Sequence, residues 1–199
     1  MTTDATWTDG LTVGDDGRAR CQWGASAPEY IGYHDTEWGV PLHGDDALYE
    51  RLCLEAFQSG LSWLTILRKR PGFRLAFADF RIEAVADFDE RDVERLLADA
   101  SIVRNRAKIE ASINNARVAA ELDGGLDALL WSFAPAGPRP RPASLADIVA
   151  VTAESTAMAK DLKRRGFKFF GPTTAHALMQ ATGMVDDHLA GCFVPPVPR

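Results

Sequence analysis

The chain has 199 residues, 46% of them hydrophobic and 25% charged, the balance of a soluble globular protein able to bury a core without a disulfide framework. No stretch approaches ~18 consecutive apolar residues, which excludes a membrane span, and the opening MTTDATWTDG has neither the basic start nor the apolar run of a secretory signal. A net charge of −6 argues against a nucleic-acid binder held by bulk charge, and the three cysteines, Cys21, Cys53 and Cys192, cannot all pair, which fits a reducing cytoplasm with thiols or metal ligands.

Taken in chain order, residues 1–19 are polar and aperiodic and are expected to form a flexible tail. Residues 20–192 read as one domain of short helices separated by Gly, Pro and Asp turns. Within 45–60, Leu48, Leu52, Glu55 and Ser59 recur on one helical face, with Gly60 as a stop. Ser62 caps a helix predicted over 62–70 and ended by Pro71. Further helices are predicted over 89–100, with Asp89 as cap, over 102–122 and over 126–133. The Pro-rich stretch 134–144 is a loop. A capped helix over 152–166 closes at Gly166, and Pro172 opens another over 172–183 at a favoured first-turn position. Between them FKFF alternates but is too short to found a sheet. The Pro-rich end, 193–199, is expected to be a second flexible tail. The predicted fold class is mostly α, a single helical body.

Four groups of residues carry chemistry. Cys21, His34, His188 and Cys192 offer thiols and imidazoles, preferred zinc ligands that together would close a tetrahedral structural site. His188 and Cys192 share a face if their segment is helical. Spacing alone also permits the simpler reading, core cysteines with half-buried histidines. Glu55 falls on an apolar stripe, where a carboxylate is costly unless paired, hydrogen-bonded or neutral. It either meets a ligand in a pocket or reaches water from the stripe's edge. Trp23, Tyr30, Tyr33, Trp38 and Trp63 cluster around it in sequence, as core or as the walls of a slot for a cationic heteroaromatic ring. Basic clusters occur at 68–74, 104–108 and 160–168. The last flanks GFKFFGP, a glycine-bounded hairpin between two helices. Its backbone N–H groups suit phosphate, although bases at helix ends are also commonly just solvated.

Together these residues resemble the 3-methyladenine DNA glycosylase I family of the helix-hairpin-helix superfamily. The resemblance runs through RCQW (20–23), YIGYHDTEWGVP (30–41), CLEAFQSGLSW (53–63), DVERLLADASIVRNRAKI (92–109) and LKRRGFKFFGPTTAHALMQATGMVDDH (162–188) to Cys192. It implies a compact helical bundle whose N- and C-terminal segments are joined by one structural zinc on Cys21, His34, His188 and Cys192. Glu55 would be the catalytic-site carboxylate, hydrogen-bonding the alkylated base together with Tyr33, while Trp63 stacks on it and Trp23, Tyr30 and Trp38 line the same pocket. Gln58, Gly60 and Leu61 would lie at the DNA, with Gly60 and Leu61 filling the gap left by the extruded base. The hairpin, with Gly166, Lys168, Gly171 and Thr173, would grip the backbone.

The implied partner is double-stranded DNA carrying alkylated bases, and the product is free 3-methyladenine. The expected protein is a cytoplasmic monomer with no membrane association. No lysine stands out as an amine nucleophile, so hydrolysis without a covalent sugar adduct or strand cleavage is expected. Two departures are informative. Phe57 replaces a polar residue of some relatives, with a possible effect on packing or on a DNA contact. Asp186, in Val185-Asp186-Asp187-His188, stands where other branches of the superfamily carry a catalytic Asp. It reads either as a support for positive charge on the sugar or as an N-cap of the helix bearing His188.

Overall fold

The computed structural model describes residues 10–137 and 139–196, so the expected tail residues 1–9 and 197–199 lie outside the described residues. Residues 10–19, expected to be tail, instead form part of a hairpin. Strand β1 (Leu11–Val13) pairs antiparallel with β2 (Ala19–Cys21), Thr12 facing Arg20. Three-residue strands are too short to show a period, and Asp16 of the expected tail is used locally. The buried Arg20 guanidinium pairs with Asp16 (2.6 Å) and with Asp35 (2.9 Å). The opposite end is also tied down as far as Val194. The Phe193 amide donates to the Ala19 carbonyl (2.8 Å), and Val194 is buried against Cys21, Leu189 and Cys192.

The rest is helical. In chain order the helices are α1 (Pro28–Thr36), α2 (Asp45–Gln58), α3 (Trp63–Ala76), α4 (Ile82–Ala86), α5 (Glu90–Ala98), α6 (Arg106–Ala120), α7 (Gly125–Trp131), α8 (Ala153–Arg165) and α9 (Pro172–Ala181). None of them is long and apolar enough to cross a membrane. Helix α2 is the central element, buried from Tyr49 to Phe57 apart from Glu50 and packed against α3, α6, α7 and α9. Phe57 continues this packing, its ring 4.7 Å from Phe73 and 5.9 Å from Phe77, so the Phe substitution serves the core and makes no surface for DNA.

Several predicted boundaries shift for identifiable reasons. Pro71 does not end α3, which runs on to Ala76. Burial of Phe73, Ala76 and Phe77 beyond it outweighs the ~3 kcal/mol an internal proline costs. Helix α6 begins at Arg106 because the Asn105 side chain accepts from the Lys108 amide (3.1 Å) and caps it there. Helices α1 and α4 carry little apolar periodicity and are not evident in the sequence. Helix α8 closes as expected. Gly166 takes φ +100, and Phe167 N–H bonds back to the Leu162 carbonyl (3.0 Å) in a Schellman closure, with both side chains buried. Residues 188–192 are turn, not helix, so the expected helical pairing of His188 with Cys192 is replaced by a tight turn closed by Cys192 N–H to Leu189 O (2.8 Å).

Candidate active site

A cavity of about 440 Å³ opens between α1, α2, α3 and α9. Helix α1 sends in Tyr30 and Tyr33, one turn apart. Trp38 follows at its C-terminal end, where the next residue, Gly39, donates its amide to the Gln180 carbonyl of α9 (3.0 Å). Trp23 enters from the 3-10 turn Gln22–Ala25. Ser62 caps α3 by accepting from the Thr65 amide (3.3 Å), which sets Trp63 at the first helical position with its ring in the cavity. The last turn and a half of α2 supplies Glu55 and Gln58.

The aromatic rings meet at angles that leave faces free. Trp23 lies edge-on to Tyr30 (5.6 Å) and to Trp38 (4.9 Å), and Tyr33 is tilted against Trp63 (5.4 Å). The buried Trp63 indole N–H has no partner among the described residues.

Glu55 is buried, not at a solvent edge, and is 5% exposed. Burial pushes its carboxyl up to about 8, and only the Arg51 guanidinium one turn earlier pulls the other way. Arg51 is itself engaged, its guanidinium 5.5 Å over the Tyr33 ring and 3.4 Å from Glu37. The site is therefore an aromatic box around one acid that has no hydrogen-bonded partner among the described residues. All six residues expected to touch a base line it, and Gln58, expected at the DNA, lines it too. Ser62, Ile148, Ala177 and Gln180 complete the walls. These were not foreseen, because the last three come from more than 80 residues away in sequence and carry no distinctive chemistry. A wider cleft of about 780 Å³ between α4 and α6 holds no aromatic residue. Two of its acids, Asp45 and Asp46, accept backbone N–H groups.

Between the lining stretches 55–58 and 62–63, the turn Gln58–Leu61 projects outward. Ser59 (φ −47, ψ 116) and Gly60 (φ +82) have the dihedral signs of a type II turn, closed by Leu61 N–H to Gln58 O (2.6 Å). No atom crowds Gly60, so its glycine is required by φ alone, and Leu61 is 43% exposed. A groove of about 810 Å³ runs from Ser59 to the hairpin, where Lys160, Lys163 and Lys168 line it with Phe169 and Gly171. Gly166 and Thr173 are exposed beside it. Most bases of the other two clusters are spent internally. Arg68, Arg70 and Arg74 pair with Glu29, Glu37 and Glu50, and Arg106 pairs with Glu90 and Glu94.

Cys21, His34 and Cys192 place their ligand atoms within 4.8 Å of one another, all buried, in an arrangement able to hold a metal ion. His188, the fourth residue expected there, does not share that tight spacing, but its ring packs edge-on against His34 at 4.9 Å. The neighbouring Cys21 thiol, together with His34, draws the Cys192 thiol below its ordinary range. Each histidine turns Nδ1 to a carboxylate at 2.8 Å, His34 to Asp35 and His188 to Asp186. That turns the His34 Nε2 toward Cys192 Sγ (3.6 Å), as a ligating nitrogen requires, whereas the His188 Nε2 meets the His34 backbone carbonyl (3.4 Å). Gly24 allows this closeness, since a Cβ there would lie 2.5 Å from the His34 ring. Asp186 thus neither caps a helix nor faces the cavity. It accepts the His188 backbone N–H (3.2 Å) and ring, and pairs with Arg141 (2.8 Å).

Fold and site define a helical protein with an aromatic, acid-centred pocket beside a lysine-lined groove. A family model for methyladenine glycosylase matches residues 23–195. The chain is 45% identical to DNA-3-methyladenine glycosylase 1 of Escherichia coli (strain K12), over 89% of this chain and 97% of that protein. It is 40% identical to the DNA-3-methyladenine glycosylase of Haemophilus influenzae, over 87% of this chain and 96% of that protein. Among solved structures it superposes on a crystal structure of 3-methyladenine DNA glycosylase I with a TM-score of 0.85 and 45% identity, covering 89% of this chain and 100% of that one. The Staphylococcus aureus enzyme, solved for its recognition of 3-methyladenine, gives a TM-score of 0.85 at 38% identity over 90% and 98% of the two chains. The chain belongs to the methyladenine glycosylase family.

Proposed function

We propose that this protein is a DNA glycosylase of base excision repair that extrudes 3-methyladenine from double-stranded DNA and hydrolyses its N-glycosidic bond, without cleaving the strand. The observation that carries this reading is the buried carboxyl of Glu55, unpartnered among aromatic faces. Methylation at N3 makes adenine a cation with a weakened glycosidic bond, so the difficulty is selection more than leaving-group activation. A cation entering the box drives Glu55 to its carboxylate, which accepts hydrogen bonds from the base while Trp63 stacks on it and Tyr33 holds its edge. A neutral adenine gains no such ion pair and meets a protonated acid. Trp23, Tyr30 and Trp38 exclude water from the remaining faces. Extrusion costs a few kcal/mol, less for a damaged base, and stacking on an aromatic returns ~1–3 kcal/mol. Leu61 and Gly60 fill the vacated step, and the hairpin around Gly166, Lys168, Gly171 and Thr173 holds the backbone through N–H groups and the three groove lysines.

Cys21, His34, His188 and Cys192 would hold one zinc ion, which supplies a structural cross-link between the two ends of the chain when bound. The donor chemistry fits, since the two buried thiols and the His34 imidazole converge and the His188 ring lies against His34. The protein acts as a monomer. The three free thiols suit a cytoplasmic setting.

The test is release of free base from methylated duplex DNA, with 3-methyladenine and 7-methylguanine resolved. Release of 3-methyladenine without strand scission is expected, and loss of free 3-methyladenine binding in Trp63→Ala. Binding of methylated DNA with no base released would make the protein a lesion sensor. A borohydride-trapped protein–DNA adduct would overturn the hydrolytic mechanism.

A further inference from the structure

The turn Gln58–Leu61 and the hairpin 166–171 come from distant parts of the chain yet share one groove. Both are held from the same helix, α6. Lys108, 7% exposed, donates its ammonium to two main-chain carbonyls, Phe57 O (2.8 Å) and Ser59 O (2.6 Å). The second of these lies inside the turn. Asn115, 1% exposed, engages both main-chain groups of Lys168. Its Nδ2 donates to the Lys168 carbonyl (3.0 Å), and its Oδ1 accepts the Lys168 amide (2.8 Å). Neighbouring Asn114 adds a bond from Nδ2 to the Gly166 carbonyl (2.9 Å).

Lys108 and Asn115 are seven residues apart, hence on one face and about 10 Å apart along the axis. A buried ammonium is an expensive way to fill space. Here it meets the carbonyl end of α2, whose last acceptors the outward turn leaves without helical partners. Asn115 fixes the residue just before Phe169, which is 46% exposed and takes φ +58, a conformation a side chain adopts only when its neighbours are held.

We infer that Lys108 and Asn115 are positioning residues which make α6 a ruler between the two DNA-facing segments, setting the wedge turn at a fixed distance and angle from the backbone-gripping hairpin. Neither touches the base cavity. Their effect is on duplex engagement and base extrusion, not on recognition of the extruded base. The inference rests on the reading of Gly60 and Leu61 as the wedge.

The experiment compares the wild type, Lys108→Met, Leu61→Ala and the double variant in three measurements: excision from duplex, excision from single-stranded methylated DNA, and binding of free 3-methyladenine. Lys108→Met should raise KM on duplex roughly ten-fold, the scale of leaving buried carbonyls unpaired. Single-strand excision and free-base binding should hold within about two-fold. In the Leu61→Ala background, Lys108→Met should cost nothing further, because the wedge it positions is gone. Asn115→Asp, which loses the donor to Lys168 O, should likewise raise duplex KM and spare free-base binding.

If Lys108→Met weakens free-base binding as much as duplex excision, its role is general stability and the inference falls. Wild-type duplex kinetics in Lys108→Met beside a defective Leu61→Ala would sink the inference and leave the wedge intact. Wild-type duplex kinetics in Leu61→Ala would remove the wedge itself. Should Lys108→Met fail to fold, Lys108→Gln, which keeps one donor, is judged by the same criteria.

Discussion

Glu55 is placed where it destabilises the empty protein, and the sign of that effect can be worked out. An exposed glutamate has an ordinary value of 4.5, whereas burial here raises it to about 8. Between those limits the folded chain binds more protons than the unfolded one, so stability falls as pH rises through the window and is fully retained only below about 4.5. At ~1.4 kcal/mol per pH unit this is an order of several kcal/mol, held in reserve for a cation. Glu55→Gln removes the ionisation and keeps the shape. Its melting temperature should exceed that of the wild type at pH 8, with the gain shrinking as pH drops toward 4.5, while base excision is lost. A variant no more stable than the wild type at pH 8 would mean that the carboxyl is already partnered, and the charge-selection argument would fail with it.

Among the elements, the link from α3 to α4 stores strain. Ala78, Asp79 and Phe80 all take φ near +55, one left-handed turn that costs L-residues ~1–2 kcal/mol each. Phe80 offsets it, fully buried and stacked on Phe77 at 5.4 Å. Ala78→Gly should therefore raise the urea midpoint, with a gain in unfolding free energy of up to ~1 kcal/mol after the added unfolded-chain entropy is subtracted. A drop would show that the turn is unstrained. Such a turn leaves no trace in a hydrophobic pattern, nor does a proline tolerated inside α3. What the pattern does carry is the centre of the site. Glu55 interrupts an apolar stripe, and a charge on a buried face is visible in one dimension. Tyr33 and Trp63 are visible as aromatic density. Gln180 and Ile148 are invisible, since they become walls only when α9 and the loop before α8 fold over α2. The clusters at 68–74 and 104–108 have the same composition as the one at 160–168. Only the fold reveals that Arg68, Arg70, Arg74 and Arg106 are neutralised by glutamates, while three lysines of the last remain open to the groove.

The molecule as a whole is closed by its ends. Among the described residues, the hairpin β1–β2 and residues 188–194 share a core of four buried hydrophobic residues, Cys21, Leu189, Cys192 and Val194. It is fastened by Leu189 N–H to Cys21 Sγ (3.4 Å) and by Arg141 bridging Asp186 and the Val194 carbonyl (2.6 Å). So small a core contributes little, and a cross-link at its centre is the natural remedy. The same cluster supports the cavity wall. Trp23 packs on His34 at 5.3 Å, and Trp38 packs on His188 at 4.7 Å. Loss of the proposed zinc should therefore be felt first as stability and then as affinity. Cys192→Ser is expected to lower zinc content and melting temperature together, and to weaken binding of free 3-methyladenine as the two tryptophans loosen. Glu55 and Trp63, carried by α2 and α3, should keep some binding at low temperature. Zinc content measured by mass spectrometry, melting by circular dichroism and binding by tryptophan fluorescence separate these effects. A variant that keeps its melting temperature yet loses excision outright would place the metal in the chemistry, and the cross-link account would have to be abandoned.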